Sequence, residues 1–261
     1  MTRLIHHEDT YRRLAARPGA TVRWVCFSHA GGTANAFRGW ESHLPPTMEL
    51  IAACYPGREH RSGTAVPADL GTLCDQLAAE LRPWQDIPLV LFGHSMGALV
   101  GYEVARRLER SWAGGPAHLF VAGQPAPSAH RRGDVRSEGP EDRLLAELRG
   151  LGGIDEPVLE QRELRARALA VIRADLRLVE AYRPGPAPPL GCPVTAVRGS
   201  TDPEVTAEEL GYWARHTRAR FREHVVAGGH FAPVRAPRTL LGLLLTDLTD
   251  DQFGVSRLPL P

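Results

Sequence analysis

Five residues constrain this chain more than any others: Gly93-His94-Ser95-Met96-Gly97 sets a serine between glycines, directly after the apolar run Pro88-Leu89-Val90-Leu91-Phe92. The run, opened by proline, reads as a short buried strand, and Ala98 to Leu108 keeps its apolar residues on one helical face. Ser95 thus falls on a sharp strand-to-helix turn. Its glycine neighbours lack the side chains that would collide with strand and helix, which leaves the serine hydroxyl exposed above a sheet. A bare G-x-S-x-G is common; the flanking elements give this one its meaning.

A serine hydroxyl is a weak nucleophile until a base takes its proton, so histidine and carboxylate are needed where the same turn can reach them. Pro193 to Arg198 is a β-branched run ending at Gly199-Ser200-Thr201-Asp202-Pro203, which predicts Asp202 just past a strand's carboxyl end. Gly228-Gly229-His230-Phe231 follows the run Phe221 to Val226 in the same way. Between them, Thr206-Ala207-Glu208-Glu209 fits a capping box opening a helix that extends roughly to His216. The order Ser95, Asp202, His230 is that of α/β-hydrolases, not that of the chymotrypsin or subtilisin types. Competing residues are weaker. His224 alternates along a strand and is expected to face a sheet surface or solvent. His29 and His94 adjoin the proposed site, but the His94 ring is expected to point away from the serine. Asp175 falls in a helical stretch, where a solvated or paired carboxylate is the commoner outcome.

Acyl transfer also needs donors for the oxyanion, which in such a fold come from the residue after the nucleophile and from an early loop. Arg23-Trp24-Val25-Cys26-Phe27 reads as an early strand, and the glycine-containing loop Ser28-His29-Ala30-Gly31-Gly32-Thr33 follows it. The backbone amides of Ala30 and Met96 are the candidates.

These segments, together with Tyr55-Pro56-Gly57-Arg58-Glu59 and Leu190-Gly191-Cys192-Pro193-Val194, resemble the type II thioesterases over about Val22 to Leu248. That family consists of stand-alone α/β-hydrolases serving polyketide synthases and nonribosomal peptide synthetases. The resemblance implies a mostly parallel central sheet flanked by helices, with a helical lid insertion. It implies hydrolysis of acyl thioesters held on the phosphopantetheine arm of an acyl or peptidyl carrier protein, clearing stalled units, with no cofactor or metal of the enzyme's own. Carried over by position, Ser95 is the nucleophile, Asp202 and His230 complete the triad, and Ala30 with Met96 hold the oxyanion. Ser28, Ala232 and the segment Ala122 to Pro127 depart from the family pattern, which touches substrate range more than chemistry. A general serine carboxylesterase would use the same triad, and a non-catalytic carrier-binding partner is the reading from a different functional class.

Composition agrees with one α/β domain over residues 1–261. Arginine supplies all 31 basic residues against 30 acidic ones, a balance that offers no bulk attraction to nucleic acid or an anionic membrane. Cys26, Cys54, Cys74 and Cys192 are widely spaced, without metal-ligand spacing, and read as buried free thiols of a reducing compartment. The amino-terminal stretch supports neither Sec nor twin-arginine export, and Leu240 to Leu245 is too short to span a bilayer. A cytoplasmic monomer is expected.

Residues 124–189 break the strand-helix alternation and read as the lid. Pro140-Glu141-Asp142 opens one helix that Gly150 ends, and Gly152-Gly153 reads as a hinge. From Val158 to Tyr182, Leu169, Ile172, Leu176 and Val179 recur at helical spacing, with Val171 and Leu178 adding apolar surface elsewhere. Acids and arginines balance across this segment, so it offers no basic face for an acidic carrier protein. His130-Arg131-Arg132 and the pair Arg58 and Arg61 are the local candidates for docking.

Overall fold

The computed structural model describes residues 10–111, 115–130, 136–153 and 156–250. Seven strands form one sheet: β1 (Tyr11–Ala15), β2 (Val22–Phe27), β3 (Met48–Ala53), β4 (Leu89–His94), β5 (His118–Ala122), β6 (Val194–Gly199) and β7 (Phe221–Val226). Their order is β1-β3-β2-β4-β5-β6-β7, with β1 antiparallel to β3 and every other pair parallel. Strands β2 to β5 are buried at every residue, as near-continuous apolar runs covered on both faces must be.

The side-chain alternation of each strand divides the core into two layers. Val25, Ile51, Leu91 and Val121 face α1 (Leu70–Glu80) and α2 (Met96–Ser111), where Leu73, Leu77, Val100 and Val104 meet them. On the opposite face Trp24, Phe92 and Phe120 pack with Phe37 and Trp40, and with Leu240, Leu241 and Leu244 of α8 (Pro237–Asp250). Trp24 and Phe120 stack across the intervening strand at 5.3 Å.

The strand order determines where a site can form. From β2 the chain goes to β3 on one side, then returns past β2 to β4 on the other, so the loops leaving β2 and β4 diverge from neighbouring carboxyl ends. Phe27 of β2 pairs in register with Gly93 of β4, which sets the Ser28–Gly32 loop beside Ser95.

Between β5 and β6 lie α3 (Glu141–Leu151), α4 (Glu156–Glu160) and α5 (Arg162–Ala181). α3 runs one residue past the expected stop at Gly150, and Gly152, at φ +75°, is the residue that ends it. Gly152 is therefore a helix cap, with its amide returning to Arg149 O and Leu148 O. The expected continuous helix from Val158 is broken at Gln161 into α4 and α5. Beyond β6, the Thr206 hydroxyl accepts the Glu209 amide and the Glu209 carboxylate accepts the Thr206 amide, the reciprocal box read from the sequence. It opens α6 (Ala207–Gly211), which tightens into a 3₁₀ turn over Tyr212–His216. The remaining short helix, α7, covers Ala232–Arg235.

The four cysteines are buried free thiols, and burial pushes the Cys54 thiol up to about 11 and Cys192 to about 12. Among the described residues no helix is long and apolar enough to cross a membrane.

The Thr206 box steadies the segment that follows Asp202, so Thr206→Ala should cost about 1 kcal/mol. Thermal unfolding should register this as a fall in Tm of roughly 2–4 °C.

Candidate active site

Ser95 occupies the turn between β4 and α2 at φ +55°, a backbone conformation that non-glycine residues rarely hold. Its surroundings enforce it. The Ser95 amide donates to Ala122 O at the end of β5 (2.8 Å), and the Ala98 amide donates to Ser95 O (2.8 Å). A Cβ on Gly93 would lie 2.0 Å from Gly97 O, and one on Gly97 would lie 2.0 Å from Phe27 O. Neither position admits a side chain, because helix and strands meet there backbone to backbone.

Asp202 and His230 come from the loops after β6 and β7, which are tied together by Thr201 N donating to Gly228 O (2.9 Å) and Gly228 N donating to the Ser200 hydroxyl (3.1 Å). The His230 Nδ1 donates to Asp202, 3.0 Å from Oδ2 and 3.1 Å from Oδ1. Both side chains are buried, and Asp202 Oδ1 also accepts the Glu204 amide at 2.9 Å. This bond places the proton of a neutral ring on Nδ1 and leaves Nε2 unprotonated.

Ser95, His230, Ala30 and Met96 line a single cavity of about 150 Å³. Leu144, Leu148 and Leu151 of α3 and Ile172, Leu176 and Val179 of α5 supply much of its apolar wall. Leu178, on another face of α5, packs into the core instead. Arg136, Glu147, Glu180 and Glu204 give the lining a charged sector, in which Arg136 pairs with Glu204 at 2.9 Å.

The weaker histidine candidates lie in definite places. His224 Nε2 donates to the Asp247 carboxylate at 2.9 Å and does not line the cavity. His94 is fully buried with Nε2 2.9 Å from His230 O, so its proton holds the backbone of the neighbouring histidine. His94 packs 4.9 Å from the His230 ring and 5.0 Å from Phe231, and His29 meets Phe231 edge-on at 4.7 Å. Burial, reinforced by the nearby His230, lowers His29 to about 4 and His94 well below the ordinary histidine value. Both are neutral at pH 7 and leave His230 as the one ring of the three bonded to a carboxylate.

Asp175 and Arg58 were not legible as partners. Asp175, 1% exposed, forms a two-pronged ion pair with Arg58 at 2.6 and 2.5 Å. One signal was present in the sequence: Asp175 falls three residues after Ile172 and three before Leu178, and a carboxylate among the apolar positions of a helix needs a partner. The expected docking role for Arg58 and Arg61 is overturned, since both are buried and Arg61 donates inward to Cys54 O at 2.7 Å. His130 is bonded to Val179 O at 2.9 Å, while Arg131 and Arg132 lie outside the described residues.

The lowered proton affinity of His29 and His94 carries a consequence for stability. The unfolded chain takes up their protons near pH 6.5, whereas the folded chain protonates His29 only near pH 4. Between these values the unfolded state binds more protons, so stability falls as pH drops through that window. Urea midpoints measured from pH 7 down to pH 4 should decline, and His29→Gln should flatten the decline.

A family model for the thioesterase domain matches residues 23–247. The probable cadicidin biosynthesis thioesterase of Streptomyces griseus is 38% identical over 84% of this chain, which spans 60% of that protein's length. Thioesterase PikA5 of Streptomyces venezuelae is 38% identical over 84% of this chain and 78% of its own. The solved structure of the type II thioesterase BorB from the borrelidin biosynthetic cluster superimposes with a TM-score of 0.84 at 37% identity, covering 94% of this chain and all of BorB. The chain therefore belongs to the thioesterase domain family, hydrolases acting on thioesters, and its framework is the α/β-hydrolase fold.

Proposed function

We propose that this protein is a type II, editing thioesterase that removes acyl groups from the phosphopantetheine arm of carrier proteins in a polyketide or nonribosomal peptide assembly line. The observation that carries the proposal is the buried Asp202–His230 hydrogen bond opening, with the strained Ser95, onto a chamber with an apolar wall. Such a chamber suits an acyl tail, and the half-buried serine stands where a thioester carbonyl can reach it. The biosynthetic settings of the cadicidin thioesterase and of BorB support the choice of substrate carrier.

In this mechanism His230 Nε2 takes the Ser95 proton as Oγ attacks the thioester carbonyl. The amides of Ala30 and Met96 receive the developing oxyanion, and Asp202 stabilises the imidazolium without itself taking the proton. Collapse of the tetrahedral intermediate breaks the carbon–sulfur bond, and His230 returns its proton to the departing pantetheine thiolate. A water, deprotonated by His230, then attacks the acyl-serine; the acid is released and Ser95 regains its proton. The neutral His29 and His94 keep this region from holding further positive charge that would disfavour the imidazolium.

Ser95→Ala should lower turnover by several orders of magnitude with the fold intact, as judged by circular dichroism and kcat/KM on an acyl-pantetheine thioester. Asp202→Asn should cost on the order of 10⁴-fold through the wrong imidazole tautomer. The substrate is tested by offering one acyl group on a carrier protein, on pantetheine and as an oxygen ester. Fastest Ser95-dependent release from the carrier is expected. Preference for the oxygen ester would make the protein a general esterase.

A further inference from the structure

The Arg58–Asp175 pair is costly in itself: two charges are removed from water, with side chains 5% and 1% exposed, in a place where an apolar pair could fill the same space. Its partners indicate what it does. Asp175 Oδ2 accepts the Gly31 amide at 2.7 Å, and Arg58 donates to Gly32 O at 2.9 Å. The Tyr55 ring lies 5.2 Å from the Arg58 guanidinium, and the Tyr55 hydroxyl donates to Ser28 O at 3.2 Å. Thus the Ser28–Gly32 loop is held at three backbone atoms by groups from two other segments, α5 and the Tyr55–Arg58 turn.

Ala30 lies between these fixed points. The carbonyl of the peptide joining His29 to Ala30 accepts the Gly32 amide at 2.9 Å, and in a trans peptide the Ala30 N–H projects the opposite way, out of the turn. Gly31, at φ +80°, permits α5 to sit directly on the loop; a Cβ there would lie 2.3 Å from Ile172 Cγ1.

We infer that Arg58 and Asp175 are positioning residues for thioester hydrolysis, holding the Ser28–Gly32 loop so that the Ala30 amide meets the transition-state oxyanion. The inference rests on the reading of Ala30 as an oxyanion donor. The pair acts through the loop and touches no reacting atom. Asp175 connects the apolar chamber wall to the catalytic machinery by a single helix, α5.

The test uses the full chain and four variants: Asp175→Asn, Arg58→Lys, the apolar double variant Arg58→Met with Asp175→Leu, and Ser95→Ala as reference. Misplacement of a donor predicts a fall in kcat of roughly 10²-fold for Asp175→Asn, a smaller fall for Arg58→Lys, and little change in KM for a small acyl-pantetheine thioester. Affinity for an acyl trifluoromethyl ketone, whose serine adduct carries an oxyanion, should fall by the same factor as kcat/KM. The double variant should recover thermal stability relative to Asp175→Asn while kcat stays low. A merely structural pair would instead show kcat recovering with Tm, and that result, or unchanged ketone affinity, overturns the inference. Activity retained in Ser95→Ala would strike the proposed mechanism itself, a failure separate from this one. Should the pair variants not fold, amide exchange in the wild-type protein decides: Gly31 exchanging as slowly as the core strands supports the clamp, and exchange at exposed-loop rates refutes it.

Discussion

Helix α2 and strand β2 meet at Gly97 so closely that the Phe27 carbonyl takes the space of a side chain, and the rest of the site depends on that approach. It forces Ser95 into the left-handed region and brings the loop leaving β2 alongside the serine. It also exposes the amino terminus of α2, where the Met96 amide lies, on the cavity that Ser95 lines. The parallel sheet supplies the remainder: β6 and β7 end on the same edge, and their loops are bonded so that Asp202 and His230 arrive together. The geometry is a property of strand ends, with the helices on both faces serving to keep those ends fixed.

Much of this was legible beforehand, because each element carries a local signal. The apolar run before Ser95, the β-branched run before Asp202 and the Thr206 capping box are near-neighbour patterns, and their expected positions agree with β4, β6 and α6 to within a few residues. Boundaries that depend on tertiary contact were read less well. Gly150 was the expected helix end, yet Gly152 is the residue in the left-handed conformation, where its neighbour Gly153 packs under Phe231. Arg58 and Arg61 looked like surface charge because nothing in their neighbourhood foretells a carboxylate 117 positions away. A buried ion pair between distant segments leaves no period in the sequence; only Asp175, polar among apolar helical neighbours, hinted at it.

The histidines show how environment divides labour among identical side chains. His29, His94 and His230 form one cluster with Phe231, but only His230 faces a carboxylate. Burial keeps the other two neutral, and His94 uses its proton to hold the His230 backbone. The cluster therefore holds one carboxylate-bonded ring in an aromatic setting. A second histidine–aspartate pair, the half-buried His224 with Asp247, sits away from the chamber and ties β7 to α8.

α5 carries chamber wall and loop anchor within one turn, Ile172 touching Gly31 and Asp175 binding it. A lineage drifting toward bulkier acyl groups could not freely trim or rotate this helix, since enlarging the space near Ile172 would loosen the grip on the loop three residues later. Selection for new substrates would accordingly act first on α3, whose Leu144, Leu148 and Leu151 face the same space without any bond to the Ser28–Gly32 loop among the described contacts. Sequence variation in such chains is then expected to be asymmetric, with diversity gathering in one wall of the chamber and restraint in the other.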